Sequence, residues 1–378
     1  MKKIVFIAPE FHSIPPNYAA AVEWWIYNVA KVMKSNNSVI CKREKSEKPI
    51  ERISDYSSIN RIYTSAFYKR IFRKWSRLDP YPYAKRVVDM VLHNQEHGDK
   101  PVLIIQNSIS LYDAVKQYYP EELMVLHLHN RQNATTLGKE TKLIAPSHSL
   151  ANFFQTEAKL ENIKVVPNGI DKMLYMQESS WNRERFGLKE AAKVILYAGR
   201  LDKRKGVLEL MEAVSLLHKK DSQFTLLLVG EHAKVTKGER EIYRKKVLNK
   251  ALEIKECCVL AGNIPPANMH QVYSLADLTV VPSLGEEAFC MVALESMASG
   301  TPVLVSPRGG IKEFVFPENT GFLLQEPLSS ESIAQNISDT LLDGRLQEIT
   351  EKGREAVLTN YDWHNVSESL IGVLSEWF

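Results

Sequence analysis

Short, unbroken runs of Val, Ile and Leu alternate along this chain with longer segments whose apolar residues recur at helical spacing. No other feature limits the possible folds as much. A strand with one wet face alternates apolar and polar residues, whereas a strand covered on both faces by helices is apolar throughout. The continuous runs predict parallel strands over residues 3–8, 102–106, 124–129, 143–146 and 164–167, and a second series over 194–198, 225–229, 258–261, 278–281 and 303–306. Amphipathic stretches at 20–34, 207–219, 239–254 and 330–342 predict helices between them. Such alternation makes βαβ units and an α/β fold. The strands fall into two sets of five, separated by the turn-forming Pro167-Asn168-Gly169-Ile170-Asp171. Two doubly wound, Rossmann-like domains are therefore expected, over 1–170 and 171–360, facing a central cleft. In such sheets ligands bind beyond the carboxyl ends of the strands, so the chemistry belongs in the loops that follow strands.

Much is excluded. At 378 residues, 44% hydrophobic and 25% charged, the chain has the composition of a soluble globular protein large enough to bury a full core. Disorder, collagen-like repeats and a small disulfide scaffold do not fit. Cys41, Cys257, Cys258 and Cys290 form no C-x-x-C, which suits a reducing compartment and gives no zinc or redox motif. The apolar run at the N-terminus stops at Glu10, too soon for a secretory signal, and no apolar stretch reaches membrane-spanning length. A cytoplasmic protein, with room for association at a membrane surface, is expected. No two glycines sit at i and i+2, so the G-x-G-x-x-G of dinucleotide dehydrogenases is missing. A P-loop, an Asp-x-Asp metal clamp and a G-x-S-x-G elbow are missing too.

The net charge of +3 hides an asymmetry. Residues 1–170 carry 24 Lys and Arg against 16 Asp and Glu, while 171–378 carry 24 against 29. The basic excess concentrates between Arg61 and Arg86, where Lys69, Arg70, Arg73, Lys74 and Arg77 interleave with Tyr68, Phe72, Trp75, Tyr81 and Tyr83. A basic, aromatic segment suits an anionic partner with an apolar component, such as an anionic membrane surface or a nucleic acid. A solvated face whose aromatics join the core is the plainer alternative.

Two loops carry the strongest chemical signal. Residues 285–295 (Gly-Glu-Glu-Ala-Phe-Cys-Met-Val-Ala-Leu-Glu) follow the strand at 278–281 and open a helix. A helix N-terminus presents free N–H groups and positive dipole to an anion, so the backbone of Cys290, Met291 and Val292 is placed to meet a phosphate. Glu287 and Glu295 flank that point and suit hydroxyls on either side of it, a ribose diol and a hexose. Glu286 and Glu287 as ordinary first-turn acids are the competing reading. The second loop, residues 199–206 (Gly-Arg-Leu-Asp-Lys-Arg-Lys-Gly), follows the strand at 194–198. Arg200 and Lys205 there can neutralise a diphosphate leaving group, or simply form a basic turn.

Together these loops resemble the retaining glycosyltransferases of family 4, which have the GT-B fold. The likeness spans nearly the whole chain. Its best parts are Glu287 and Glu295 at Glu-x7-Glu spacing, the 199–206 loop and Pro167-Asn168-Gly169-Ile170-Asp171; Ala276-Asp277, Pro282-Ser283, Ala298-Ser299-Gly300-Thr301-Pro302-Val303 and Gly309-Gly310-Ile311-Lys312-Glu313 follow in order. The resemblance implies that Arg200 and Lys205 contact the donor diphosphate, with residues 289–292 (Phe289, Cys290, Met291 and Val292) at the helix that receives it. It implies that Glu295 holds the ribose, Glu287 a hydroxyl of the transferred sugar, and Asn263 and Ile264 the base. His129 matches a histidine near the reacting sugar, while His127 reads as a buried strand residue. Ala20 and Ala21 stand where the family has a donor-loop Gly-Gly pair, and alanine resists the positive φ open to glycine. Cys290 also replaces a common glycine; the exchange is expected to be sterically mild and to leave Cys290 the most reactive of the four thiols. The final segment, 361–378, is implied to cross back to the first domain.

Within the family the chain is most similar to the lipopolysaccharide outer-core sugar transferases of Gram-negative bacteria. That likeness is carried by residues 286–293 and by the basic aromatic segment containing Lys69, Arg70, Arg73, Lys74, Trp75 and Arg77. It implies UDP-N-acetylglucosamine as donor, a glucose of the lipopolysaccharide core as acceptor, an α-1,2 linkage, and association with the cytoplasmic face of the inner membrane, with no nucleic-acid partner. No cofactor or metal is implied, fixed cations taking the metal's place. UDP-glucose, UDP-galactose or ADP-heptose as donor, a UDP-sugar epimerase, and a non-catalytic membrane or nucleic-acid binding module remain as alternatives.

Overall fold

The computed structural model describes residues 2–16, 20–63, 82–93, 100–230 and 238–378. The chain divides into two compact units, Met1–Gly169 with Trp363–Phe378, and Ile170–Asp362. The α-helices among the described residues are α1 (Ala21–Val32), α2 (Pro82–His93), α3 (Ile109–Lys116), α4 (His148–Ala158), α5 (Lys172–Tyr175), α6 (Val207–Lys220), α7 (Glu239–Glu253), α8 (Met269–Tyr273), α9 (Met291–Ala298), α10 (Ser330–Leu342), α11 (Leu346–Asn360) and α12 (Trp363–Trp377).

The first unit holds an eight-stranded sheet of β1 (Ile4–Ile7), β2 (Asn37–Lys42), β3 (Ile50–Arg52), β4 (Ser57–Ile62), β5 (Val102–Gln106), β6 (Met124–His127), β7 (Leu143–Ala145) and β8 (Ile163–Val165). Their order is β3-β4-β2-β1-β5-β6-β7-β8, parallel except for the antiparallel β3 at the edge. Sequence order reverses between β1 and β5, the topological switch point where an open α/β sheet presents a crevice. One core joins Phe6, Ile104, Val125 and Ile144 of the sheet to Trp25, Ile26 and Val29 of α1 and to Trp363, Val366, Leu370 and Leu374 of α12. The last helix of the chain is thus part of the first unit's core.

The second unit holds β9 (Lys193–Ala198), β10 (Phe224–Val229), β11 (Cys258–Gly262), β12 (Leu278–Val281), β13 (Val303–Val305) and β14 (Phe322–Leu323), all parallel, in the order β11-β10-β9-β12-β13-β14. This is the doubly wound order of a dinucleotide-binding sheet, with its switch point between β9 and β12. The central strands are mostly apolar because both faces are covered: Ile195, Leu226 and Val280 join one core with α6 and α10, and Val194, Leu227 and Val281 join the other with α8 and α9.

The α/β class and the doubly wound sheets agree with the sequence reading. Four strands were not anticipated: β2, β3, β4 and β14. The basic window also needs correction where it is described. Arg61 is 5% exposed, and its Nη2 donates to the Ile14 carbonyl at 2.6 Å and pairs with Glu51 at 2.6 Å. Tyr83 is buried, its hydroxyl donating to the Ala8 carbonyl at 3.2 Å. Both are structural rather than parts of a basic surface. Lys69, Arg70, Arg73, Lys74, Trp75 and Arg77 lie outside the described residues. No described helix is long and apolar enough to cross a membrane.

Candidate functional site

At the switch point of the second unit, two loops are locked together through their backbones. The loop after β9 runs from Gly199 through a single 3-10 turn at Lys203–Lys205 to Gly206, which precedes α6. Gly206 has φ +66°, and a Cβ there would fall 2.0 Å from the Pro282 carbonyl oxygen in the loop after β12. Glycine is required by conformation and by space. Leu284 N–H and Gly285 N–H donate back to the Arg204 carbonyl at 2.8 and 3.1 Å. A third loop closes on the same point: Gly310 N–H donates to the Glu287 carbonyl at 2.8 Å, and a Cβ on Gly309 (φ +61°) would sit 2.0 Å from that oxygen. The strand ends after β9, β12 and β13 therefore share one rigid backbone frame.

The frame sets the side chains. Glu287 Oε1 accepts from Lys205 Nζ and from Ser283 Oγ, each at 2.5 Å. Lys205 and Glu287, singled out from separate motifs, are an ion pair. Arg200 is exposed one residue beyond Gly199, its carbonyl receiving the Tyr197 hydroxyl at 2.7 Å. Helix α9 begins at Met291 with Cys290 as its N-cap, so the first N–H groups of Met291 and Val292 lack intrahelical acceptors. Glu295, one turn on, accepts from the Tyr273 hydroxyl at 2.9 Å, and burial pushes its carboxyl up to about 7 despite that bond. The Cys290 thiol feels Glu287, Lys205 and Glu295, so these groups form one cluster.

Several expectations change. Cys290 adopts φ 89°, a region that strains any residue with a Cβ; replacing glycine there is not sterically mild. Nor is its thiol reactive: burial, reinforced by Glu287, pushes it up to about 12, so almost none is thiolate at neutral pH. Phe289 is 3% exposed and stacks on Phe314 with centroids 5.0 Å apart, leaving only its backbone to meet a ligand. Asn263 is exposed and Ile264 half-buried after β11, two strands across the sheet from β9. Ala20 is the N-cap of α1 at φ −131°, and Ala21 is its first residue. Neither needs the positive φ that glycine supplies.

The first unit brings a second group together. His129 lies two residues beyond β6; its Nε2 is 3.1 Å from Gln106 Oε1, and its ring is 4.0 Å from that of His127 and 5.7 Å from Trp25. Burial pushes the His129 imidazole down to about 3. His127, wholly buried, is likewise driven well below the ordinary histidine range. Both rings are neutral at physiological pH. Among the described residues, no three of His, Cys, Asp or Glu converge as metal ligands.

A family model described as glycosyl transferases group 1 matches residues 179–356. Lipopolysaccharide 1,2-N-acetylglucosaminetransferase of Salmonella typhimurium is 39% identical over 379 aligned residues, covering 100% of this chain and 99% of that protein. The chain belongs to the group 1 glycosyltransferases. It is an enzyme of the GT-B fold, and solved structures match it along its length. Sucrose-phosphate synthase of Thermosynechococcus elongatus superposes with a TM-score of 0.79 at 18% identity, covering 99% of both chains. Anabaena HepE, solved with UDP-glucose, gives 0.72 at 19% identity, covering 100% of both.

For this glycosyltransferase, sequence reasoning named Ser283 within a motif but gave it no role, and it missed Tyr273, which with Ser283 holds the two glutamates, and Gln106, Asn107 and Trp25, which surround His129. Of the missed residues only Gln106 left a trace, as the polar end of an otherwise apolar strand. The rest become visible only once strand ends are set side by side.

Proposed function

We propose that this glycosyltransferase moves N-acetylglucosamine from UDP-N-acetylglucosamine to a glucose of the lipopolysaccharide outer core, forming an α-1,2 linkage with retention of configuration. The observation that carries this reading is the 39% identity along the whole chain to a lipopolysaccharide 1,2-N-acetylglucosaminetransferase. The second unit supports it with cations and a helix N-terminus where a diphosphate would lie.

The bond from the anomeric carbon to the UDP oxygen breaks, and negative charge grows on the departing phosphate. Lys205, Arg200 and the first N–H groups of α9 stabilise that charge, usually the largest contribution in such chemistry. These fixed cations let the reaction proceed without a divalent metal. The acceptor hydroxyl attacks from the leaving-group face, and its proton passes to the donor phosphate. Glu287 offers Oε2 to a hexose hydroxyl, since Oε1 is engaged by Lys205 and Ser283. Glu295 accepts from the ribose hydroxyls, Asn263 and Ile264 border the base, and His129 acts in the transfer step. Neither glutamate serves as a covalent nucleophile, unlike the carboxylate pair of a retaining glycosidase. Lys69, Arg70, Arg73, Lys74, Trp75 and Arg77 hold the enzyme on the anionic cytoplasmic face of the inner membrane, where the glycolipid acceptor resides.

The test is incubation with UDP-N-acetylglucosamine, EDTA and core lipopolysaccharide ending in glucose. Mass spectrometry should show the gain of one N-acetylhexosamine, and NMR an α-configured, 1,2-linked anomeric centre. Preferential transfer from UDP-glucose, UDP-galactose or ADP-heptose would overturn the donor. Activity lost in EDTA and restored by magnesium would overturn metal independence. Replacing Arg70, Arg73 and Lys74 by alanine should abolish co-sedimentation with anionic vesicles while transfer to deacylated, soluble core oligosaccharide persists.

A further inference from the structure

Asn107, the first residue after β5, has φ +51°. Among residues with a Cβ, asparagine tolerates this region best, but glycine does so at no cost. The side chain accounts for the choice. Asn107 Oδ1 accepts the His129 backbone N–H at 3.0 Å and the Gln132 amide at 3.1 Å. Its carbonyl also accepts from Gln132 at 3.0 Å, and its N–H donates to the His127 carbonyl at 2.7 Å. One residue thus grips the neighbouring chain at residues 127, 129 and 132.

This grip replaces a sheet ladder that has ended. Leu128 N–H still donates to the Ile144 carbonyl at 3.0 Å, but the His129 N–H is taken by a side chain instead of a strand. The rings of His127 and His129 lie 4.0 Å apart on the same side of the chain, tilted by 38°. The His129 imidazole meets Gln106 Oε1 at 3.1 Å. The anchored loop then continues along Arg131, Gln132, Asn133 and Thr135, which with Phe153 and Glu157 line a cavity of about 280 Å³. Backbone strain at the switch-point end of a central strand, tied to a candidate functional side chain, is a device for pre-organisation.

We propose that Asn107 is a positioning residue for glycosyl transfer: its amide oxygen holds the backbone N–H of His129 and so places the imidazole, and no glycine or aliphatic residue can replace it. The inference rests on the proposed role of His129 in transfer. Asn107 touches neither substrate in this account and acts only through the loop it holds.

The test compares Asn107→Gly, Asn107→Asp and His129→Ala with the wild-type enzyme. Glycine keeps the backbone free to adopt positive φ and deletes only the amide. Asn107→Gly should lower kcat by about ten- to a hundredfold, the usual penalty for misplacing a reacting group, with donor KM unchanged. Asn107→Asp retains the acceptor oxygen and should restore kcat to within about threefold of wild type. The double variant Asn107→Gly/His129→Ala should be no slower than His129→Ala alone, because both changes remove the same contribution. That comparison holds even if Asn107→Gly also lowers thermal stability. Unchanged kcat in Asn107→Gly beside a slow His129→Ala would overturn the positioning role and leave the proposed function intact. Unchanged kcat in His129→Ala would overturn the role of His129 and this inference with it. Additive losses in the double variant, or an aspartate as slow as the glycine, would overturn it as well.

Discussion

At the scale of single residues, the site is defined by carboxylates whose surroundings differ. Glu287 faces a lysine, whereas Glu295 accepts from the Tyr273 hydroxyl and forms no ion pair among the described residues. Its carboxyl, raised from 4.5 to about 7, is destabilised when ionised. A raised carboxyl adds stability that is complete below about pH 4.5 and is lost as pH rises through about 7. Glu295→Gln, which removes the charge and keeps the shape, should therefore stabilise the enzyme by on the order of 2–3 kcal/mol more at pH 8 than at pH 5, read as a larger rise in melting temperature at the higher pH. Equal effects at both pH values would refute the assignment. The same variant should weaken donor binding, because an amide accepts ribose hydroxyls less strongly than a carboxylate. Glu287, Glu295, Arg200 and Lys205 were legible because each stands in a motif directly after an apolar strand. Their partners were less so: Ser283 stood in a motif without a role, and Tyr273 is an ordinary residue type whose relevance lies only in distance. Cys290 shows the reverse error: its place at a helix start was readable, but its φ was not.

At the scale of elements, the site depends on loops held by backbone contact. A Cβ at Gly206 would strike the Pro282 carbonyl at 2.0 Å while also occupying φ +66°. Gly206→Ala should move the loop bearing Lys205 away from Glu287 and cost more than the roughly 1 kcal/mol of left-handed strain alone. A ligand at 100 times its dissociation constant stabilises by about 2.7 kcal/mol. If UDP raises the melting temperature of the wild-type enzyme as the proposed donor site requires, that rise should largely disappear in Gly206→Ala at the same UDP concentration. A full response to UDP in that variant would show that the loop register is irrelevant to donor binding. The strands read correctly are those buried on both faces by apolar residues. β2 and β4 escaped because they bury polar ones: Asn37 donates to the Ala30 and Ser35 carbonyls at 3.3 and 2.9 Å and accepts from Ser57 at 2.6 Å, and Arg61 Nη2 donates to the Ile14 carbonyl and to Glu51. A strand that buries polar side chains does not announce itself as an apolar run. β14, with two residues, is too short for periodicity to register.

At the scale of the whole molecule, the chain passes from the first unit to the second and returns. Trp363, Val366, Leu370 and Leu374 of α12 are buried against Trp25 and Val29 of α1. Burying a large apolar side chain contributes about 1.5–3 kcal/mol, so four of them rival the 5–15 kcal/mol that holds a typical domain together. Removal of residues 363–378 should leave the first unit unable to fold, seen as insolubility or loss of near-ultraviolet circular dichroism from Trp24 and Trp25. Leu370→Ala, a milder version, should cost about 2–5 kcal/mol. A truncated chain that stays soluble with native near-ultraviolet signal would contradict this account. The two-domain plan was legible from the two sets of strands and the turn at residues 167–171, and the sheet orders supplied what no one-dimensional pattern contains, namely which strand ends meet.

The return of α12 also bears on synthesis. Translation delivers residues in order, and domains generally fold as units while the chain emerges. The second unit is contiguous from Ile170 to Asp362 and has all its residues before α12 is made. The first unit begins earlier but lacks one wall of its core until residues 363–377 leave the ribosome. The half of the protein made first is therefore the half finished last, and its exposed Trp25 face is the surface a chaperone would meet on the nascent chain.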